Sequence, residues 1–183
     1  MSLEMRFHTI YSIGIVLQAA HAIDMRDYAP SCGVEPEFQL WYKELLGAFE
    51  DPFATDRATD FFAPGGALII LGTRNIGNRE ILGARGAMLP TDGSVQWNHF
   101  PNRTFVSSET PADKTFEVAG VLEISRPIDS SCATTYFQTH FTLAKNPDTG
   151  KANLTPQGGS LIIYDGYSIN ATSDPCIKGT RSH

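Results

Sequence analysis

The sequence predicts one α+β domain in which a curved antiparallel sheet wraps around about three N-terminal helices. Three observations predict it. Residues 37–50 place apolar side chains at three- and four-residue spacing. Residues 95–169 hold long runs of strand-forming residues separated by turn chemistry. The helical signals precede the long strands, an order that lays helices on one face of an antiparallel sheet. Twist then turns the sheet into a cone with a cavity at its open end.

The elements are justified in chain order. Phe38, Trp41, Leu45 and Phe49, with Tyr42 and Leu46 beside them, form the apolar stripe of a helix over 37–50. Asp51-Pro52 stops it. Pro52 opens a second short helix from Phe53 to Phe62, which ends at Ala63-Pro64-Gly65-Gly66. Ala67-Leu68-Ile69-Ile70-Leu71 reads as an apolar strand and residues 72–78 as a turn. Asn78 caps a third helix that contains Arg79-Glu80-Ile81-Leu82 and ends near Pro90. Strands then run over 95–108, 115–126, 133–145 and 160–169, with Asn146-Pro147-Asp148-Thr149-Gly150 as a turn between the last two. The domain spans 37–169. Residues 23–36, with Pro30, Cys32, Gly33 and Pro36, read as an irregular arm, and 170–183 as a polar tail.

The 183 residues suffice for one core. Lys+Arg 14 against Asp+Glu 20 gives a net charge of -6 with no basic run, which excludes nucleic acid or an anionic membrane as the expected partner. Residues 1–22 read as a leader plus signal peptide. Met5 restarts the frame, Arg6 supplies positive charge, the apolar stretch is too short to span a bilayer, and Ala20-His21-Ala22 is a small-x-small cleavage site. Asn102-Arg-Thr, Asn153-Leu-Thr and Asn170-Ala-Thr are glycosylation acceptors that agree with secretion. Cys32, Cys132 and Cys176 are too widely spaced for a metal framework. In an oxidising compartment two of them pair and one is spare, with all three pairings open. Phosphate loops, dinucleotide fingerprints and H-E-x-x-H are absent, so no cofactor and no metal are expected.

The order of elements resembles the NTF2-like superfamily, the cystatin-like α+β cone, in its SnoaL-like and scytalone dehydratase-like branches. The matching stretches are Trp41-Tyr42-Lys43-Glu44-Leu45-Leu46, Phe61 to Ile69, the "G-x-x-x-I" helix start at Gly77 to Ile81, and the "QH" strand start at Gln96-Trp97-Asn98-His99-Phe100. The resemblance covers residues 37–169 and implies the cone, homodimers and small apolar ligands. It does not imply one reaction, because the fold hosts lyases, isomerases, cyclases and carriers. Two departures stand out. Leu68 to Leu71 replaces the steroid isomerase-like branch's strand Asp, and Phe116 to Leu122 lacks the dehydratase-like branch's second His.

His99 leads the candidate catalytic residues. Strand alternation puts Trp97, His99, Arg103 and Phe105 on one face and Asn98, Phe100 and Asn102 on the other. A glycan on Asn102 makes its face wet and turns His99 to the cavity, where an imidazole moves protons near neutral pH. Arg103 on that face binds a ligand oxygen or a carboxylate. Asp60 is the candidate partner of His99. The resemblance puts Trp41 and Tyr42 on the cavity wall, with the Tyr42 phenol as a donor to a ligand oxygen. Tyr136, Gln138 and His140 share the strand face opposite Phe137, Phe141 and Leu143. They line a pocket or face solvent or a second subunit, and alternation favours the latter. These residues and the resemblance imply a secreted, cofactor-free lyase, isomerase or cyclase for a small hydrophobic polyketide or terpenoid. The alternative is a secreted ligand-binding or interaction protein.

Overall fold

The computed structural model describes residues 23–53, 57–171 and 176, with backbone alone at 167–171. Residues 1–22, expected to be leader and signal peptide, and most of 170–183, expected to be a polar tail, lie outside the described residues. Strands β1 (Ala29–Pro30), β2 (Phe62–Ile70), β3 (Thr73–Ile76), β4 (Gln96–Glu109), β5 (Asp113–Arg126), β6 (Ser131–Ala144) and β7 (Leu161–Ala171) form one sheet in the order β1-β4-β5-β6-β7-β2-β3. Helix α1 is Glu37–Glu50 and helix α2 is Gly77–Met88. The α+β class holds, but the sheet is mixed. The four long strands pair antiparallel, while β1 runs parallel to β4 and β2 parallel to β7.

Helix α1 has the predicted bounds. Its stripe of Phe38, Trp41, Tyr42, Leu45, Leu46 and Phe49 is buried against the sheet. The contact is aromatic. Phe38 stacks on Phe116 at 4.2 Å, and Phe141 meets Tyr42 at 5.2 Å and Tyr164 at 4.8 Å between centroids. Phe141 also meets Phe38 and Trp41, so truncating it to Ala costs about 3–5 kcal/mol.

The second predicted helix does not form among the described residues. Only a 3-10 turn, Thr59–Phe61, stands there, and residues 54–56 lie outside the description. The cause is a long-range pairing: Phe62 is already matched with Leu161, so Ala63-Pro64-Gly65-Gly66 is pulled into β2 instead of ending a helix. The predicted turn at 72–78 is mostly β3. Leu71 (φ 48°) and Gly72 (φ 82°) close the β2–β3 hairpin with two left-handed residues, the turn that matches strand twist. Asn78 is not a cap. Helix α2 starts at Gly77 with Ile76 before it, and the Glu80 carboxylate accepts the Ile76 N–H at 2.8 Å.

The arm is ordered by pairing. Ser31 N–H donates to the Thr104 carbonyl at 2.8 Å beside the β1–β4 ladder. Lys114 reaches out of β5 to the Gly33 carbonyl and the Glu35 carboxylate, both at 2.9 Å, and so locks the arm to the sheet edge. Of the three open cysteine pairings the structure takes Cys132–Cys176, with Cα atoms 5.5 Å apart, and leaves Cys32 exposed. Among the described residues no helix is long and apolar enough to cross a membrane.

Candidate functional site

The site is built where the last turn of α1 meets the first half of β4. His99 is 8% exposed and Glu50 7%. The Glu50 Oε1 accepts the His99 backbone N–H at 2.8 Å and lies 2.5 Å from Nδ1. A carboxylate accepts, so this bond places a proton on Nδ1 and holds the ring by that edge. Phe137 lies edge-on to the imidazole at 4.9 Å and Trp97 at 6.2 Å. Two phenols belong to the same interior. Burial pushes the Tyr42 hydroxyl well above its ordinary range, with the charges of Tyr164 and Glu50 adding to it. Burial and then the Glu50 charge raise Tyr164 likewise. Both tyrosines therefore stay protonated donors across the physiological range.

Helix α2 fixes Glu50 from behind. Arg85, 2% exposed, donates from Nε to the Phe49 carbonyl at 3.1 Å and from its terminal nitrogen to the Asp51 carbonyl. It thus closes the C-terminal carbonyls of α1 on either side of Glu50.

The predicted His99 face needs correction beyond Pro101. The β4–β5 register jumps between Pro101 and Arg103, so Asn102 is the extra residue of a bulge and the alternation slips by one. His99 stays inward and Trp97 lies beside it, half-buried. Arg103 is exposed, and Phe105 faces Glu117 across the ladder on the outer side. Thr104 takes the inward place, fully buried. The bulge stands opposite Gly120, where an added Cβ would strike the Phe100 carbonyl and lie 2.9 Å from the Pro101 Cα. Asp60 is also corrected as the partner of His99. It is exposed in the 3-10 turn, its carbonyl accepts the Gly159 N–H, and Glu50 holds the imidazole instead.

Trp41 and Tyr42 are enclosed in the aromatic layer of the core. Tyr136, Gln138 and His140 face outward, which corrects their place among ligand-pocket residues. Glu117 accepts from Gln138 and lies 2.9 Å from His140 Nε2, while Phe137, Phe141 and Leu143 fill the core. Of the acceptor asparagines, Asn102 is half-exposed in the bulge and Asn153 is half-exposed in the β6–β7 connection. The Asn170 side chain lies outside the described residues. Among the described residues no group of three His, Cys, Asp or Glu is placed to hold a metal ion.

No family model and no curated protein matches the chain. Solved structures do. ActVI-ORFA of Streptomyces coelicolor aligns with a TM-score of 0.57 at 12% identity over 73% of this chain and 95% of its own. A Catenulispora acidiphila protein in complex with S-DNPA aligns at 0.55, with 15% identity over 72% and 90%. A scytalone dehydratase-like protein of Novosphingobium aromaticivorans aligns at 0.54, with 7% identity over 76% and 89%. The chain spans about a third (34%) of the length of the Anabaena orange carotenoid protein, which it also matches. At these identities the likeness shows the fold: the chain has the NTF2-like, cystatin-like α+β cone. This is a fold whose solved examples include ligand-bound proteins.

Proposed function

We propose that the chain is a secreted, glycosylated, cofactor-independent acid–base enzyme, a lyase, isomerase or cyclase, acting on a small hydrophobic natural product such as a polyketide or terpenoid. The observation that carries this reading is the Glu50–His99 pair, a buried imidazole held by a buried carboxylate at the sheet's inner face. His99 moves the proton, Glu50 orients its ring, and Tyr42 donates to a ligand oxygen. The disulfide and the half-exposed Asn102 and Asn153 support the secretory part of the reading. A homodimer across the outward Tyr136, Gln138 and His140 face belongs to it too, and light scattering on a variant of that face tests it.

One observation favours a second reading, binding without conversion. The bulge carries Arg103 away from His99, which removes the cation expected to stabilise an oxyanion. One experiment separates the two. Native mass spectrometry of the secreted chain identifies the co-purified molecule, which is then incubated with wild type and His99→Ala. Product from the wild type and a loss of about 100-fold or more in His99→Ala supports catalysis. Recovery of the unaltered molecule refutes it in favour of binding, and equal turnover removes His99 from the mechanism.

A further inference from the structure

A cavity of about 290 Å³ lies between the start of α1 and the β6–β7 connection, at the opposite end of the helix from Glu50. Glu35 and Glu37 line it from the arm and the first turn of α1, and Asn153 and Thr155 line it from the connection. Ala152 and Leu154 line it too, and both pack on the hydrophobic core, so part of its wall is apolar. One acceptor there is orphaned. Glu35 Oε1 accepts from the Lys114 ammonium at 2.9 Å, whereas Oε2 is buried without a hydrogen-bond partner. Glu35 lines the cavity and Lys114 does not, so Oε2 is the oxygen left for an occupant. A buried carboxylate oxygen without a donor is costly, and an occupant that fits brings an N–H or O–H to it.

The connection says where such an occupant is attached. Asn153-Leu154-Thr155 is an N-glycosylation acceptor triplet, and all three of its residues line the cavity. The Asn153 backbone is tied on both sides: its N–H donates to the Ala144 carbonyl at 2.9 Å, and its carbonyl accepts the Ser160 hydroxyl at 2.7 Å. Its Oδ1 accepts the Thr155 N–H at 3.3 Å, which leaves Nδ2, the atom an N-linked sugar joins, outside that bond. The volume is near the lower limit of roughly 300 Å³ for small-ligand pockets, room for one ring and not for a chain of them. An N-acetylated hexose offers an apolar C–H face to Ala152 and Leu154 and N–H and O–H donors to Glu35.

We infer that the first sugar of an Asn153 glycan occupies this cavity and donates to Glu35, so that the glycan pins the arm to the β6–β7 connection. This rests on the proposed secretion and glycosylation but not on catalysis. The sugar arrives from a lipid-linked pyrophosphate donor: the Nδ2–C1 bond forms, the C1–O bond to the pyrophosphate breaks, and the displaced amide proton leaves with the pyrophosphate. Lys114 already ties Glu35 and the Gly33 carbonyl to β5, and the sugar adds a second tie to the same carboxylate.

The test uses the full chain secreted from a eukaryotic host, with its glycans trimmed to the first sugar by an endoglycosidase. Glycopeptide mass spectrometry reads occupancy, and hydrogen exchange reads the arm and helix-start amides of Ser31, Val34 and Phe38, each bonded to a backbone carbonyl. Asn153→Gln and Thr155→Ala abolish the triplet through different atoms, and Thr155→Ser keeps it. Both sugar-free variants are expected to exchange these amides about five- to tenfold faster, the worth of one neutral hydrogen bond. Thr155→Ser and Asn102→Gln should stay within about twofold of wild type. Exchange that is unchanged in both sugar-free variants overturns the inference, and so does equal acceleration in Thr155→Ser, which would trace the effect to the wall and not to the sugar. A contact measurement on wild type does not depend on any variant folding: a nuclear Overhauser effect is expected between the sugar's acetamido methyl and the Leu154 or Ala152 methyls, and its absence overturns the seat. An Asn153 that is bare while Asn102 carries a glycan refutes the inference and leaves the glycosylated reading standing. Bare asparagines throughout refute both.

Discussion

Glu50 is the residue whose removal has the most directly calculable effect. Its Oε1 accepts both the backbone N–H and the Nδ1–H of His99, at 2.8 and 2.5 Å, and both side chains are almost fully enclosed. Glu50→Ala leaves two buried donors without an acceptor. Each such orphan costs about 1–3 kcal/mol, and breaking one side of a buried pair costs about 3–5 kcal/mol in all. Glu50→Gln behaves differently. The amide oxygen can keep both bonds, so only the charge assistance is lost, and the cost falls to about 1–2 kcal/mol. Urea unfolding monitored by circular dichroism measures both, with the slope checked for constancy.

A second readout separates the charge from the packing. The Glu50 charge is one of the causes that raise Tyr42 and Tyr164. Both variants should therefore let these phenols ionise at lower pH, seen as tyrosinate absorbance in the near ultraviolet, even though their stabilities differ. A Glu50→Ala variant within about 1 kcal/mol of wild type would falsify the claim that this carboxylate closes the site. Equal damage from Gln and Ala would show that the charge, and not the accepted bonds, is what matters.

Two further outcomes rest on the same geometry. Gly120→Ala drives a methyl into the Phe100 carbonyl and to 3.0 Å from the Phe137 ring, so it should cost about 1–3 kcal/mol and shift the His99 ring resonances; a change under about 0.5 kcal/mol refutes the close packing behind the bulge. Stability should fall as pH rises above about 10, because Tyr42 and Tyr164 keep their protons in the folded chain while the unfolded chain releases them; two such groups remove about 2.7 kcal/mol per pH unit, and a flat profile up to the pH where they ionise would contradict their burial.

The fold is largely legible in the sequence because its signals are local. The α1 stripe has an unambiguous period, and the four long strands alternate over many residues, so their bounds fall within two residues of the expected ones. What escapes depends on pairing partners far along the chain. Phe53 to Phe62 has a plausible helix start in Pro52, but residue 62 is claimed by Leu161, almost a hundred positions later. The short edge strands β1 and β3 exist only through β4 and β2, and the pairing of Cys132 with Cys176 only through the fold.

The site is half legible, and its hidden half has a signal. Tyr42, Leu46 and Glu50 stand four apart, so the first two being inward places the third inward as well. Glu50 escapes a sequence reading because a carboxylate at a helix end reads as solvated. The slip that separates Arg103 from His99 also has a marker. Pro101 brings no N–H to the ladder, and a proline inside a strand belongs at an edge or a bulge, here facing the one residue type with no Cβ. This same slip takes Arg103 off the inner face of β4 and puts Thr104 on it. A buried carboxylate–imidazole pair is weak ground for stability, since apolar residues of similar size serve as well or better. Its presence beside protonated phenols, at a place where strand regularity is broken, fits a chain in which local rules yield to a function at that spot.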